Sequence, residues 1–259
     1  MKPAGAAAKG VAFVTGASSG IGRAVALALA RRGWRVAALA RRAEALAALA
    51  AEAPGVTAFP GDACDRAGVA AAVAKIEAEL GPITLAFLNH GVYFPAERED
   101  FDVDVAWRTF EINVGGVLNC LGPLLAAMRA RQNGRIAITS SLAALGGVPG
   151  SMAYGASKAA LTYMAEVLRM SCARDHIEVQ VVHPGFVTTA MTEHADFDMP
   201  FLMSAAEAAE IICDGFGTER FEIVFPRRLA LLFRAARLLP YPLYFAAMRR
   251  AARRADRSG

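Results

Sequence analysis

The feature that most constrains the fold is a glycine-rich turn between a short apolar run and an Ala-rich helical pattern. The apolar run covers 11–14 (VAFV) and the turn covers 16–22 (GASSGIG). In a strand–turn–helix unit, Gly16 allows a tight turn, Gly20 leaves room for a pyrophosphate, and Gly22 lets the helix pack on the strand. The helix N-terminus offers free N–H groups and a positive dipole to phosphate. The unit therefore predicts nucleotide binding.

Apolar runs and helical patterns alternate along the chain to about residue 226. This alternation predicts right-handed crossovers and one α/β domain over 1–226, a Rossmann-type, doubly wound parallel sheet with helices on both faces. Ligands bind such sheets at the carboxyl ends of the strands, where Asp62 and Asn89 fall. The predicted strands, about seven, are 11–14, 35–40, 56–59, 83–88, 134–141, 178–182 and 221–226.

The end of the second predicted strand bears on the choice of cofactor. Many NAD-binding folds place an acidic residue there to hold the ribose hydroxyls. This chain has Ala40 followed by the cation Arg41, which suits a 2′-phosphate, so NADP(H) is the expected cofactor and NAD(H) the alternative. A simpler explanation is that Arg41 and Arg42 form a solvated helix start.

Tyr154 and Lys158 are four residues apart at the start of a helical pattern, so they lie on one helix face. An ammonium beside a phenol lowers the Tyr pKa, which suits a proton donor or acceptor. By themselves the two residues are more simply explained as a surface pair. Ser141 ends the fifth predicted strand at the ligand edge. Asn113 interrupts an apolar stretch, which indicates either a structural hydrogen bond or a backbone distortion that holds a water.

Composition argues against several other classes of protein. The four cysteines include no CxxC pair and the four histidines have no metal-ligand spacing, so we expect reduced thiols, no metal site and a cytoplasmic protein. The net charge of +4 is uneven, because residues 227–259 hold nine Arg and one Asp, a net of +8, which leaves −4 elsewhere. A mildly acidic body argues against nucleic acid as a partner. Neither a signal peptide nor an uninterrupted apolar run of membrane-spanning length is expected.

Two C-terminal segments differ from the alternating body. Residues 191–203 are apolar but aperiodic, so we expect a substrate lid within about 190–216. Residues 227–259 form a predicted helical extension, broken at 240–242, that combines arginines with an apolar side. Such a composition favours contact with the inner membrane surface, and packing on the body or on a partner subunit is the alternative. The apolar side consists of Leu229, Leu232, Phe233, Ala236 and Leu239.

Across about 10–226 the sequence resembles the short-chain dehydrogenase/reductase family. The resemblance is carried by TGASSGIG at 15–22, DA at 62–63, NHG at 89–91, PGFVTT at 184–189 and four single residues, Asn113, Ser141, Tyr154 and Lys158. It implies that Tyr154 is the acid/base and that Lys158 lowers its pKa and holds the nicotinamide ribose. It also implies that Ser141 binds the substrate oxygen and that Asn113 holds a water. The cofactor residues it implies are Gly16, Ser18, Ser19, Gly20, Ile21, Gly22, Arg41, Asp62, Ala63, Asn89, Gly91, Tyr154, Lys158, Pro184, Gly185, Val187 and Thr189.

The resemblance implies an NADP(H)-dependent oxidoreductase that interconverts a carbonyl and a secondary or primary alcohol by hydride transfer. The apolar lid and tail favour an apolar, lipid-like substrate. The alternatives are an NAD-linked alcohol dehydrogenase and a non-catalytic nucleotide-binding scaffold at a membrane surface. A homo-oligomer, dimer or tetramer, is expected because many relatives form one. His90 departs from the family pattern, in which a small residue occupies this position near the cofactor, and we interpret it as a tolerated neighbour.

Overall fold

The computed structural model describes residues 10–94, 102–192 and 199–255. Seven strands form one parallel sheet in the order β3-β2-β1-β4-β5-β6-β9, which confirms the predicted doubly wound α/β architecture. Two further strands, β7 (Val187–Thr188) and β8 (Met203–Ser204), pair separately. The strands of the large sheet are β1 (Val11–Thr15), β2 (Arg35–Ala40), β3 (Val56–Pro60), β4 (Ile83–Leu88), β5 (Gly134–Thr139), β6 (Ile177–Pro184) and β9 (Glu222–Phe225).

Helices cover both faces of the sheet, so the central strands are buried on each side and have nearly continuous apolar sequences. One core cluster includes Val25, Leu46 and Ile212, and the other includes Ile76 and Leu124. The helices are α1 (Gly20–Arg31), α2 (Ala43–Glu52), α3 (Arg66–Leu80), α4 (Val103–Phe110), α5 (Gly116–Arg131), α6 (Met152–Ser171), α7 (Ala205–Phe216), α8 (Arg227–Arg237) and α9 (Tyr241–Ala255).

A π-helical segment, Glu111–Gly115, joins α4 to α5. Asn113 lies inside it, so the backbone distortion that the sequence indicated is present at this residue. By length and composition the continuous run Val103–Arg131 would suffice to cross a membrane. In this fold, however, its side chains Leu124 and Met128 belong to the core beneath the sheet.

The C-terminal part departs from the predicted element bounds. Helix α7 begins at Ala205 rather than Glu207, because Ser204 and Glu207 form a capping box that fixes the earlier start. Helix α9 begins at Tyr241, before Pro242, because proline is tolerated in the first turn of a helix. Residues 193–198, within the aperiodic part of the predicted lid, lie outside the described residues.

The tail packs on the body with part of the predicted apolar side, since Leu229, Phe233 and Ala236 are half-buried. Leu232 and Leu239 are exposed, whereas Ala230 and Tyr244 are buried. The packing face is set by the partners of α8, which are β9 and the short 3₁₀ turn Leu142–Leu145. The alternative that the tail packs on the body therefore holds in part, and an apolar surface remains exposed.

Candidate functional site

The glycine turn between β1 and α1 is as tightly packed as its sequence predicts. Gly16 and Gly20 have φ of +67° and +54°, in the left-handed region that favours glycine. A Cβ on Gly22 would lie 2.3 Å from the carbonyl oxygen of Gly16, and one on Gly20 would lie 3.0 Å from Thr189 Cγ2. No side-chain hydrogen bond caps the start of α1 at Ser19, so its first N–H groups are left for another acceptor. The turn therefore forms a side-chain-free cradle at a helix N-terminus.

Thr15 connects the ends of β1 and β4. Its Oγ1 accepts hydrogen bonds from the backbone N–H groups of Asn89 (2.9 Å) and His90 (3.3 Å) and lies 2.8 Å from His90 Nδ1. Because two donors occupy the lone pairs of this hydroxyl, it donates its proton to Nδ1, and neutral His90 carries its proton on Nε2. The Asn89 side chain in turn accepts from Thr139 Oγ1 (3.2 Å). The strand ends are thus tied side by side.

His90 fits against the start of α5 rather than merely replacing a small residue. Its Nε2 has no hydrogen-bond partner in the described part of the chain, and a Cβ on Gly116 would lie 2.4 Å from it. Burial, reinforced by the charge of Lys158, lowers the pKa of His90 to about 4. The imidazole is therefore neutral at physiological pH. Gly116 provides the space that this larger side chain requires.

Asn113 is fully buried and hydrogen-bonded through its whole amide. Its Oδ1 accepts from Val92 N (2.8 Å), and its Nδ2 donates to Val92 O (3.1 Å) and to Ser157 Oγ (3.0 Å). A Cβ on Gly91 would lie 3.1 Å from Asn113 Oδ1 and 3.3 Å from Lys158 Nζ. A structural hydrogen bond and a distorted backbone thus occur together at Asn113, and the water that Asn113 would hold stays a prediction.

Ser141, Tyr154 and Lys158 meet at the carboxyl end of β5. Ser141 hydrogen-bonds Tyr154, and Lys158 Nζ lies 5.8 Å from the centroid of the Tyr154 ring. Lys158 is 3% exposed and donates to Thr139 O at 2.9 Å. The three side chains come from two elements, β5 with its following turn and α6, whose first turns carry Tyr154 and Lys158 on one face.

Burial shifts the pKa of both ionisable side chains at this edge. The pKa of Tyr154 is raised, because burial outweighs the hydrogen bond from Ser141. Burial also lowers the pKa of Lys158 to about 8. The Lys158 ammonium donates to Thr139 O, and its effect on the pKa of Tyr154 stays a prediction. Tyr154 is a neutral phenol at physiological pH.

The two arginines after β2 have different surroundings. Arg42 donates from Nη2 to Ser18 Oγ at 3.0 Å, so it contacts the glycine turn directly. Arg41 is exposed at the end of β2, and its charge acts on the Cys64 thiol. Asp62 accepts from Cys64 N at 3.0 Å, and the charges of Asp62 and Arg41 both act on the Cys64 thiol. Arg42 is exposed at the N-cap of α2, as the alternative of a solvated helix start predicted, and it contacts Ser18 as well.

The predicted residues after β6 divide into two groups. Thr189 contacts Gly20 of the glycine turn, whereas Gly185 donates from its N–H to Phe225 O at 2.7 Å and so follows β9. Val187 is buried in the small β7–β8 ladder and Pro184 ends β6. Thr189 thus lies at the glycine turn, whereas Pro184 and Gly185 lie beside the end of β9.

A shallow cleft of about 10 Å³, room for about one water molecule, opens beside Tyr154. Tyr93 packs edge to face on Tyr154, with ring centroids 5.2 Å apart. Sequence reasoning did not select Tyr93, because an aromatic residue after a strand has no distinctive spacing. Thr15 and Ser157 were also missed as functional residues, although each lies inside a motif that was recognised. The cleft is lined by Tyr93, Phe94, Val105, Thr109, Gly150, Ser151, Met152, Ala153 and Tyr154.

Comparisons with known proteins agree with this geometry. The family model described as short chain dehydrogenase matches residues 10–199. An uncharacterized oxidoreductase of Myxococcus xanthus (strain DK1622) is 38% identical over 243 residues, covering 92% of this chain and 96% of that protein. A 2,3-dihydro-2,3-dihydroxybenzoate dehydrogenase of Bacillus subtilis (strain 168) is 37% identical over 188 residues, covering 70% and 71%. The crystal structure of a short-chain dehydrogenase from Streptomyces avermitilis is 26% identical with a TM-score of 0.79, covering 95% of this chain and 98% of that one.

Proposed function

Because this chain belongs to the short-chain dehydrogenase/reductase family and is an NAD(P)-dependent oxidoreductase, we propose that it uses NADP(H) to interconvert a carbonyl and an alcohol on an apolar, lipid-like substrate. The observation that carries the proposal is the meeting of Ser141, Tyr154 and Lys158 at the carboxyl end of β5. A non-catalytic scaffold would not require a buried ammonium beside a phenol.

The residues at the sheet edge fit a dinucleotide. The glycine cradle and the uncapped start of α1 suit the pyrophosphate, and Asn89 and Asp62 lie along the same edge. Arg41 and Arg42 would hold the 2′-phosphate, and the contact of Arg42 with Ser18 supports this assignment. Lys158 and Tyr154 would hold the nicotinamide ribose. When bound, the nicotinamide supplies or accepts the hydride.

The side chains of the chain itself provide the proton chemistry. Tyr154, held as a neutral phenol by its raised pKa, donates its proton to the carbonyl oxygen as charge develops there. Ser141 orients the phenol and donates to the same oxygen. Lys158 provides positive charge next to Tyr154 and stabilises the phenolate after the transfer.

The decisive experiment compares Tyr154→Phe with Tyr163→Phe, a change of an exposed tyrosine on the same helix. Turnover of long-chain ketones and aldehydes, followed by NADPH absorbance, should fall about 10²- to 10⁴-fold in Tyr154→Phe only. NADPH binding, followed by fluorescence, should weaken by less than about tenfold, because the phenol supplies one of several contacts to the cofactor, worth about one hydrogen bond. Equal turnover in the two variants would refute this mechanism.

Cofactor choice is tested separately through the two arginines. Arg41→Ala and Arg42→Ala should each weaken NADPH binding by about tenfold or more while leaving NADH binding nearly constant, because only NADPH carries the 2′-phosphate. Arg23→Ala, which removes an arginine paired with Glu52, is the control. Tighter binding of NADH than NADPH by the unmodified protein would favour the NAD-linked alternative instead.

We further propose that the outer face of the tail contacts an anionic membrane surface, at the cytoplasmic side of the inner membrane. Leu231, Leu238, Leu243 and Phe245 are all at least half exposed, and arginines flank them along both helices. Cationic and apolar side chains on one surface are complementary to acidic headgroups above acyl chains.

A flotation assay tests this contact with vesicles of phosphatidylserine and phosphatidylcholine. The protein should float with the acidic vesicles, less at high salt, and Leu231→Asp/Leu243→Asp should abolish flotation. Ile211→Asp, on α7, is the control for an exposed apolar residue elsewhere. Flotation that is equal in all variants, or equal with pure phosphatidylcholine, would exclude the membrane contact.

A second copy of this chain is the proposed partner for another exposed surface. Trp107 is 72% exposed on α4, and Val167 and Met170 form an exposed stripe on α6. Large apolar side chains in this position are typical of a subunit interface. Light scattering after size exclusion should report a dimer or tetramer, and Val167→Asp/Met170→Asp should shift it toward the monomer. A monomer at all concentrations would exclude this partner.

A further inference from the structure

The segment between Ser141 and Tyr154 is rich in glycine, so contacts with other parts of the chain help to fix its backbone conformation. Ser141 caps the 3₁₀ turn Leu142–Leu145, and Tyr154 lies in the first turn of α6. Between them lie Gly146, Gly147 and Gly150, the last with φ of +75°. Because glycine has more backbone freedom than any other residue, such a segment requires outside contacts to hold one conformation. Direct bonds between β5 and α6, from Ser140 Oγ to Lys158 O (2.8 Å) and from Lys158 Nζ to Thr139 O (2.9 Å), hold the two ends of the segment, and the outside contacts act on the path between them.

The tail provides one of these contacts. Tyr244 of α9 is 3% exposed, and its hydroxyl donates to Gly147 O at 2.9 Å. A Cβ on Gly146 would lie 2.8 Å from Tyr244 Oη and 3.2 Å from Arg237 Cδ, so the tail lies directly against the segment. The Arg237 guanidinium lies 5.6 Å from the centroid of the Tyr244 ring and holds the ring from the α8 side.

A second tyrosine contacts the other end of the same segment. Tyr93 donates to Gly150 O at 3.4 Å, and its ring packs on Tyr154. The glycine-rich segment is thus fixed at Gly147 from the tail and at Gly150 from the loop after β4. The first contact joins residues 97 positions apart in the sequence, so it ties the C-terminal tail to the catalytic edge.

We infer that Tyr244 is a positioning residue, which holds the segment 146–150 through Gly147 O and thereby sets the alignment of Ser141 with Tyr154. Small displacements of reacting groups cost large factors in rate, whereas the cofactor cradle lies at a different part of the sheet edge. The contact should therefore act on kcat and leave cofactor binding unaffected. The expected change in kcat rests on the proposed function. The contact between Tyr244 and Gly147 can also be measured by hydrogen exchange, which requires no turnover.

The test removes one hydroxyl. Tyr244→Phe keeps the ring against Arg237, and Tyr241→Phe is the matched control on the same helix. Hydrogen exchange followed by mass spectrometry should show exchange about 2- to 10-fold faster in peptides covering 142–155 of Tyr244→Phe and unchanged exchange in peptides covering 11–40. In the same variant kcat should fall about tenfold, with KM for NADPH unchanged. Tyr241→Phe should match the unmodified protein in both measurements.

A second pair of variants tests the contact from the opposite side. Gly146→Ala places a methyl group where Tyr244 Oη lies and should reproduce the effects of Tyr244→Phe. The double variant should be no worse than either single one, because both remove the same contact. Unchanged exchange over 142–155 in Tyr244→Phe would overturn the inference, as would equal changes in kcat and KM for NADPH. If the unmodified protein shows no turnover, but hydrogen exchange over 142–155 is still faster in Tyr244→Phe, the proposed function is refuted. The contact of Tyr244 with the segment 146–150 is then retained.

Discussion

Two regions hold the catalytic edge, and they do so by different means. The inner region is a network of buried polar side chains, in which Thr15, Asn113 and Lys158 bond to the backbone at strand ends. The outer region is the tail, which contacts the edge through Tyr244 and the ion pair of Arg234 with Glu222 while much of its surface is exposed. Burial of the polar side chains in the inner region costs free energy, which is offset only when all of them are hydrogen-bonded. The exposed side chains of the outer region stay hydrated, so this cost is small there.

This comparison predicts that the largest electrostatic effect on folding comes from Lys158. Its pKa is about 8 in the folded protein against 10.5 as a free side chain, so below pH 8 the folded state bears the full cost of a buried charge. Between pH 8 and 10.5 the unfolded chain binds the proton more tightly, and stability rises with pH by about 3 kcal/mol in total.

Urea unfolding from pH 7.5 to 10.5 measures this effect as the difference between the unmodified protein and Lys158→Met. The free energy of unfolding should rise with pH in the former relative to the latter, because the variant has no ammonium to release. Lys75→Met, which removes an exposed lysine, should follow the unmodified protein. Parallel curves for all three proteins would mean that the inner region bears no such cost.

A glycine substitution in the cradle should have the next largest effect. Gly22→Ala forces a Cβ to within 2.3 Å of the Gly16 carbonyl, so the turn must shift. We expect destabilisation of about 1–3 kcal/mol and a comparable loss in NADPH affinity. The control is Gly122→Ala in α5, where no atom lies within 4 Å of the added Cβ. Thermal unfolding should show that Gly122→Ala stabilises the protein by about 0.5–1 kcal/mol. A Gly22→Ala variant more stable than Gly122→Ala would contradict the packing argument.

The inner region could be predicted from the sequence because its constraints are local. Each of Gly16, Gly20 and Gly22 is required by backbone geometry within eight residues, and strand ends that follow one another in the chain converge at one sheet edge. The predicted sheet and the grouping of Ser141, Tyr154 and Lys158 followed from these rules and from the family resemblance. His90 was interpreted less well, because its fit depends on Gly116, 26 positions away.

The outer region could not be predicted in the same detail, because its constraints join distant parts of the chain. The helical periodicity of the tail was visible, but the face that packs depends on β9 and on the segment 146–150. Tyr244 therefore gave no distinctive pattern. The contact of Arg42 with Ser18 gave no sequence pattern for the same reason, since Ser18 belongs to an earlier turn.

The smallest predicted effect concerns the attachment of the tail. Glu222 accepts hydrogen bonds from His183 and Arg234, and these partners lower its pKa to about 2 against a usual 4.5. The stabilisation is present above pH 4.5 and is lost as pH falls toward 2. Because Arg234 is half exposed, solvent screens much of the effect, and Glu222→Gln should cost about 1 kcal/mol at pH 7 and nothing near pH 2. Glu219→Gln, an exposed change nearby, should cost nothing at either pH. If urea unfolding gave Glu222→Gln a cost equal to the Lys158 effect, the tail would be as strongly coupled to the fold as the inner region, and the distinction between the two regions would fail.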